Sequence, residues 1–218
     1  MLHIIEGSNY VGKTTTLDIL KKKKSFIHFY HPRFNDSQHF HFNYGTIRTI
    51  PTNQYSDQLK RESSATIHIP RDVVYQISHM TCLKYLISVK DKKVLLDRCF
   101  LSEMVYNELY DKQIYHEFIN VLKTNFEYKI FLLIVKDEEE LRRRITERLK
   151  KDHGKGFGIR NDKGFVPEPG TVEEKMKAQR VIEAKYSEFI HAFGLETLYI
   201  DTSNIKQKEV AKIIAEAS

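Results

Sequence analysis

Leu2-His3-Ile4-Ile5-Glu6-Gly7-Ser8-Asn9-Tyr10-Val11-Gly12-Lys13-Thr14 decides how the rest of the chain is read. Leu2 to Glu6 is apolar enough for a buried strand, and Gly7 to Thr14 fits the spacing G-x-x-x-x-G-K-[S/T] without a gap. The chemistry of an anion cradle needs these residue types. The glycines let backbone N–H groups turn inward around phosphate oxygens, Lys13 adds a point charge, and the Thr14 hydroxyl suits the oxygen shell of a Mg2+ ion. The motif follows a strand and opens a helix expected over Lys13 to Lys22, which is the context such a loop requires.

Outward from this loop, strand and helix signals alternate to the end of the chain. A second strand, Phe26 to Tyr30, stops at His31-Pro32. Arg33 to Ile69 is rich in His, Asn, Ser and Thr and reads as loop, with a helical piece near Gln54 to Ser63. Pro70 suits a first helical position, and Val73, Ile77, Met80, Leu83 and Leu86-Ile87 keep helical spacing as far as about Val89. Val94-Leu95-Leu96 is a buried strand that delivers Asp97-Arg98 to its carboxyl end, where open α/β sheets bind ligands. Ser102 to Lys123 reads as one or two helices, Lys129 to Val135 as a core strand and Glu138 to Lys151 as a charged helix. Five glycines and two prolines between His153 and Thr171 predict a long loop. A helix over Val172 to Phe193, a strand over Glu196 to Ile200 and a helix over Lys206 to Ala215 complete the pattern. It predicts an α/β fold, a three-layer α/β/α domain with a five-stranded parallel sheet.

The chain has 218 residues, enough for one domain with one sizeable core. It is 41% hydrophobic and 29% charged with 9 Gly and 5 Pro, which excludes collagen-like and wholly disordered chains. The longest strongly apolar run, Ile130 to Val135, is far short of the roughly 20 residues of a membrane-spanning helix. The amino terminus reads as a strand and not as a signal sequence, so a cytoplasmic protein is expected, with no membrane partner. Cys82 and Cys99 suit core positions and make no disulfide framework. His39 and His41 alternate with Phe40 and Phe42, the pattern of a loop or an edge strand. The net charge of +6 has one address: Leu141 to Arg160 holds eight basic and two acidic residues, and the remainder balances. That helix begins with Asp137, Glu138, Glu139 and Glu140, as suits its macrodipole.

Ile4-Ile5-Glu6-Gly7 running into the phosphate loop, Pro32-Arg33 after the second strand, Tyr75 and His79 on one helix, Asp97-Arg98-Cys99-Phe100-Leu101-Ser102 followed by Tyr106, and the closing Tyr199-Ile200-Asp201-Thr202-Ser203 together resemble the nucleoside monophosphate kinases, most closely the thymidylate kinases. The resemblance implies a P-loop kinase fold with a helical lid. It also implies transfer of the γ-phosphoryl group of ATP, with Mg2+, to a deoxynucleoside monophosphate such as dTMP. By resemblance Gly7, Asn9, Tyr10, Gly12, Lys13, Thr14 and Thr15 hold ATP, and Thr14 with Asp97 organises Mg2+. Arg33 and Arg98 grip the acceptor phosphate, Tyr75 stacks on the base, and His79 and Tyr106 complete the acceptor site. Lys13, Arg98 and the lid arginines Arg144 and Arg148 act on the transferred group. An acceptor-binding insertion about 33–69, a lid about 142–170 and a helix-packed homodimer are implied as well. Three positions depart from the family pattern: Asn9 stands where an aspartate is common, Tyr10 where some members carry a basic residue, and His79 where an arginine often contacts the nucleotide.

A phosphate acceptor is already ionised and needs no general base, whereas a sugar hydroxyl needs a carboxylate soon after the second strand. Tyr30-His31-Pro32-Arg33-Phe34 offers an arginine there and no carboxylate before Asp36. A monophosphate acceptor is therefore favoured over the deoxynucleoside kinase reading, which the lid arginines keep open. A polynucleotide 5′-kinase and a nucleotide-sensing P-loop module without turnover are the remaining alternatives. The concentration of positive charge in the lid points to a small-molecule nucleotide partner and away from nucleic acid.

Overall fold

The computed structural model describes residues 1–22, 26–30, 38–43, 46–51, 86–106, 112–155, 158–161, 164–167 and 170–217. The chain divides into two compact units, one of Met1–His31 with Leu83–Ser218 and the other of Pro32–Cys82.

In the first unit five strands, β1 (Leu2–Gly7), β2 (Ile27–Tyr30), β5 (Val94–Asp97), β6 (Tyr128–Ile134) and β9 (Thr197–Asp201), form one sheet in the order β2-β5-β1-β6-β9. Every pairing is parallel, as the alternation of strands and helices predicts. Every residue of β1 is buried, as expected for a central strand covered on both faces. Its residues divide by parity. His3 and Ile5 face the side where Leu95, Phe131 and Leu133 meet Leu17 and Leu20 of α1 (Lys13–Lys21) and Val210, Ala211 and Ile214 of α6 (Gln207–Glu216). Leu2, Ile4 and Glu6 point to the other face, where α2 (Phe100–Tyr106) packs on β1 and its Phe100 ring meets Phe118 of α3 (Lys112–Asn125) at 4.7 Å. Cys99 is buried in this core. Helices α4 (Glu138–Lys155) and α5 (Val172–Ala192) pack on each other. A reciprocal capping box between Thr171 and Glu174 starts α5.

Register then places the chemistry. Ile5 of β1 pairs with Asp97 of β5, and Gly7 pairs with Leu133 of β6, so the loop leaving β1 and the Asp97-Arg98 pair emerge side by side at the carboxyl edge. The chain runs from β1 to β2 on one side and to β6 and β9 on the other. That makes the end of β1 the switch point at which such sheets bind ligands.

Two expected loops prove to contain strands. In the second unit β3 (Gln38–Asn43) pairs antiparallel with β4 (Thr46–Pro51). The β-branched Thr46, Ile47, Thr49 and Ile50 and the period-2 aromatics Phe40 and Phe42 outweigh the polar composition of this stretch. The expected helical piece at Gln54–Ser63 and most of the helix from Pro70 lie outside the described residues, except for a last helical turn at residues 86–88. Between His153 and Thr171, α4 continues to Lys155, and β7 (Gly158–Asn161) pairs antiparallel with β8 (Gly164–Pro167). Ile159, Phe165 and Val166 supply strand propensity there despite the glycines and prolines. No helix among the described residues is long and apolar enough to cross a membrane.

His3 sits between the rings of Phe26 and Phe131 at 5.3 and 5.2 Å, with no exposed surface. Burial, with Lys93, the amino terminus and Lys129 adding to it, lowers its pKa to about 4. The unfolded chain then binds a proton at His3 more readily than the folded one, so stability falls as pH drops from about 6.5 towards 4. His3→Leu is expected to flatten this slope, by about 2 kcal/mol relative to the wild type at the acid end. Thermal melts of both proteins across this pH range check it.

Candidate functional site

The phosphate loop is held in a conformation that exposes its amides. Gly7 has φ 140°, and a Cβ there would lie 2.6 Å from the Leu133 carbonyl oxygen. Tyr10 (φ 65°) and Gly12 (φ 82°) are both left-handed. Gly12 is also the N-cap of α1 and brings no capping side chain, which leaves the first amides of that helix to whatever occupies the loop. Lys13 is 7% exposed, and its Nζ lies 3.8 Å from Asp97 Oδ1 at the end of β5. A cavity of about 510 Å3 opens over the loop. Lys13, Thr14 and Thr15 line its floor, with Arg144 and Arg148 of α4 at its side.

The loop's carbonyls are tied to the outside. Arg144 donates through Nη1 to the Tyr10 carbonyl at 3.2 Å and to Thr202 Oγ1 at 3.0 Å, and through Nη2 to the Thr202 carbonyl. Its Nε donates to Glu140 at 2.7 Å. Thr202, just after β9, places its hydroxyl 3.1 Å from the Val11 carbonyl. Gln179 of α5 donates to Ser8 Oγ. Gln207, the first residue of α6, accepts from Thr16 at 2.6 Å and packs where a Gly12 Cβ would stand. Hydrogen bonding to Arg143, opposed by burial and reinforced by Arg144, lowers the Glu140 pKa to about 2. The four arginines of α4 separate by environment. Arg142 pairs with Glu173 and Arg143 with Glu140 and Glu147 on exposed faces, where such pairs contribute little to stability. Arg144 and Arg148 border the cavity.

On the other side of the loop, Arg98 follows β5 with φ 67° and is 7% exposed. Its Nη1 donates to Ser102 Oγ at 2.9 Å and to Tyr186 Oη at 3.3 Å, and its guanidinium lies 5.3 Å above the Tyr106 ring. Its Nε is buried with no hydrogen-bond partner among the described residues. A buried charged donor left this way is costly, and an anionic ligand group would satisfy it. Beneath lies Glu6, fully buried in β1, which accepts from the Cys99 amide and the Ser102 hydroxyl at 2.7 Å and from Tyr186 Oη at 3.1 Å. Burial first, and Glu6 second, raise the Tyr186 pKa well above its ordinary value, so the hydroxyl keeps its proton at neutral pH. A second cavity, of about 660 Å3, is lined by Asn9, Tyr10, Tyr106, Glu174, Lys175 and Gln179, among others.

The structure thus gathers Gly7, Asn9, Tyr10, Gly12, Lys13, Thr14, Thr15, Asp97, Arg98, Tyr106, Arg144 and Arg148 around one loop. Arg33, Tyr75 and His79 lie outside the described residues. Glu6, Gln179, Tyr186 and Gln207 were not singled out from the sequence as site residues. Of these only Glu6 carried a signal, a charged side chain in an otherwise apolar strand. Among the described residues no three His, Cys, Asp or Glu side chains gather to hold a metal. The oxygen donors Thr14 and Asp97 fit Mg2+ bound largely by phosphate and water.

No family model and no curated protein matches the sequence. Solved structures do. The YorR protein of Bacillus subtilis, in complex with phosphorylated GDP, superposes with a TM-score of 0.56 at 17% identity over 99% of this chain and 94% of that one. A deoxyadenosine kinase from M. mycoides with bound dATP gives 0.50 at 16% identity over 99% and 97%. The architecture is accordingly the three-layer α/β fold of the P-loop kinases.

Gly12→Ala tests the loop conformation. A Cβ at this left-handed position costs about 1–2 kcal/mol and collides with the Gln207 amide, 2.3 Å away. Urea denaturation should show a loss of at least that size, and titration with a non-hydrolysable ATP analogue should show binding weakened about tenfold or more.

Proposed function

We propose that this protein is a nucleoside monophosphate kinase of the thymidylate kinase type, which transfers the γ-phosphoryl group of ATP to a deoxynucleoside monophosphate, dTMP first among acceptors. The observation that carries this reading is that two cavities share the phosphate loop. Asn9 and Tyr10 border both, with Lys13, Thr14, Thr15 and the two lid arginines on one side and Tyr106, Lys175 and Gln179 on the other. A direct transfer between two bound nucleotides needs donor and acceptor to meet across one anion cradle.

In this reading the loop amides and Lys13 hold the β- and γ-phosphates of ATP in the first cavity. Thr14 and Asp97 would hold Mg2+, which supplies charge neutralisation on those phosphates when bound. Arg98, held against Tyr106 beside the second cavity with its Nε unsatisfied among the described residues, would bind the acceptor phosphate. An acceptor oxygen forms a bond to the γ-phosphorus while the bond to the β–γ bridging oxygen breaks, and ADP leaves. The acceptor oxygen is already anionic, so no side chain has to remove a proton. Arg33, Tyr75 and His79 keep the acceptor roles that the resemblance gives them, the insertion about 33–69 carries acceptor contacts, and 142–170 is the lid. A cytoplasmic homodimer acting on free nucleotides completes the proposal.

The second reading is a deoxynucleoside kinase, favoured by the arginines of α4 over the loop and by the fold shared with a deoxyadenosine kinase. Tyr30-His31-Pro32-Arg33-Phe34, which lacks a carboxylate to activate a hydroxyl, weighs against it.

A coupled ADP-release assay with ATP, run across the deoxynucleoside monophosphates and the nucleosides, separates the two. Turnover of dTMP without turnover of thymidine is expected, and the reverse would replace this proposal by the second reading. Lys13→Met should lower kcat/KM by about a hundred- to a thousandfold. Arg148→Ala is expected to lower kcat about a hundredfold. Arg144→Ala should lower Tm, because it leaves Glu140 and the carbonyls of Tyr10 and Thr202 without their donor.

A further inference from the structure

The cluster of Glu6, Ser102, Tyr186 and Arg98 is buried throughout and joins three parts of the chain distant in sequence: β1, α2 with the turn before it, and α5. Its proton count is informative. Ser102 and Tyr186 have one hydroxyl proton each, yet three short O–O contacts connect them with Glu6: Ser102 to Glu6 at 2.7 Å, Tyr186 to Glu6 at 3.1 Å and Ser102 to Tyr186 at 2.9 Å. The two hydroxyls spend their protons towards the carboxylate and present lone pairs on the other side. Those lone pairs receive Arg98 Nη1, at 2.9 Å from Ser102 and 3.3 Å from Tyr186. Glu6 therefore orients both hydroxyls as acceptors, and the hydroxyls grip one edge of the guanidinium. The Tyr106 ring covers its face, and Nε remains unpartnered among the described residues.

The guanidinium is thus held through Nη1 and against the Tyr106 ring, and Nε is its buried donor with no partner among the described residues. We infer that Tyr186 is a positioning residue for the acceptor phosphate, acting through Arg98: its hydroxyl, bonded to Glu6, holds the guanidinium against Tyr106, a residue that lines the second cavity, with Nε left for an anion. This deepens the proposed function and rests on it. The same helix adds a consequence. Gln179, two helical turns before Tyr186 on α5, donates to Ser8 of the loop, and Glu173 near its start pairs with Arg142 of the lid helix. One 21-residue helix thus touches the lid, the phosphate loop and the acceptor arginine.

The test is a double-mutant cycle on the full-length protein with Tyr186→Phe and Arg98→Ala, read as the dissociation constant of dTMP by calorimetry in the presence of a non-hydrolysable ATP analogue, together with KM and kcat where turnover persists. Phe preserves the ring and removes only the hydroxyl. Tyr186→Phe is expected to weaken dTMP binding and raise its KM about tenfold, as for loss of a hydrogen bond to a charged group, with the KM for ATP within about twofold of wild type. In the Arg98→Ala background the same change should have no further effect on dTMP binding. A folded Tyr186→Phe protein with wild-type affinity for dTMP overturns the inference, as does a full tenfold loss that persists without Arg98. Should Tyr186→Phe fail to fold, Ser102→Ala, which removes the other acceptor of Nη1, takes its place in the cycle with the same expectations. Wild-type protein that turns over nucleosides and not dTMP overturns the proposed function. The cycle is then scored on the nucleoside's kcat, where a wild-type value for the variant would reject the role of Tyr186 separately.

Discussion

A loop that offers its backbone N–H groups to an anion must send its carbonyls the opposite way, and each buried carbonyl then needs a donor of its own. In this protein that requirement accounts for residues far from the motif. The Tyr10 carbonyl is met by Arg144 of α4 and the Val11 carbonyl by Thr202 after β9, while Thr16, one turn into α1, is held by Gln207 of α6. Three elements from the second half of the chain therefore hold a loop formed by its first residues. The loop is a product of the assembled fold and not of its own glycines, although two glycines and Tyr10 supply the backbone angles it needs.

The same edge of the sheet carries a second, costlier arrangement. Glu6 occupies a position in β1 where parity demands an apolar residue, and a carboxylate without exposed surface is tolerated only when its oxygens are fully hydrogen-bonded. The Cys99 amide, the Ser102 hydroxyl and the Tyr186 hydroxyl meet that demand. Arg98 takes part of its support from the same hydroxyls and leaves one donor over. Buried polar networks that are satisfied at every member but one are uncommon, because the remaining group bears its desolvation cost with no return within the folded chain. A ligand that supplies the missing acceptor converts that cost into affinity.

Legibility from sequence followed the range of the interaction. The strand, loop and helix at the amino terminus were readable because a fixed spacing of Gly and Lys encodes a local backbone path, and the core strands because apolar runs such as Ile130 to Val135 have no competing explanation. The hairpins at 38–51 and 158–167 are harder to read, because His, Asn and Ser in one, and Gly and Pro in the other, mask short period-2 alternations that their pairing partners stabilise, and only Phe40 and Phe42 hint at an edge strand. Tyr186 looked like any aromatic on an amphipathic helix. Its importance arises from a contact with Glu6 across 180 positions, and no local pattern encodes that.

The distribution of positive charge gains meaning from the same geometry. Spacing alone could not rank the four arginines of α4, because one helix face looks much like another. Their partners do. Arg142 and Arg143 are paired with carboxylates on the exposed surface. Arg144 spends Nε and both terminal nitrogens on Glu140, Tyr10 and Thr202, and so cannot leave its place without releasing the loop. Arg148 borders the cavity with an exposed side chain on the same face, one turn further on. Arg144 is thus bound into the loop's support, and Arg148 lines the cavity beside it. Where the +6 excess of the sequence meets the cavity, it is represented by one arginine that braces the loop and one that borders it.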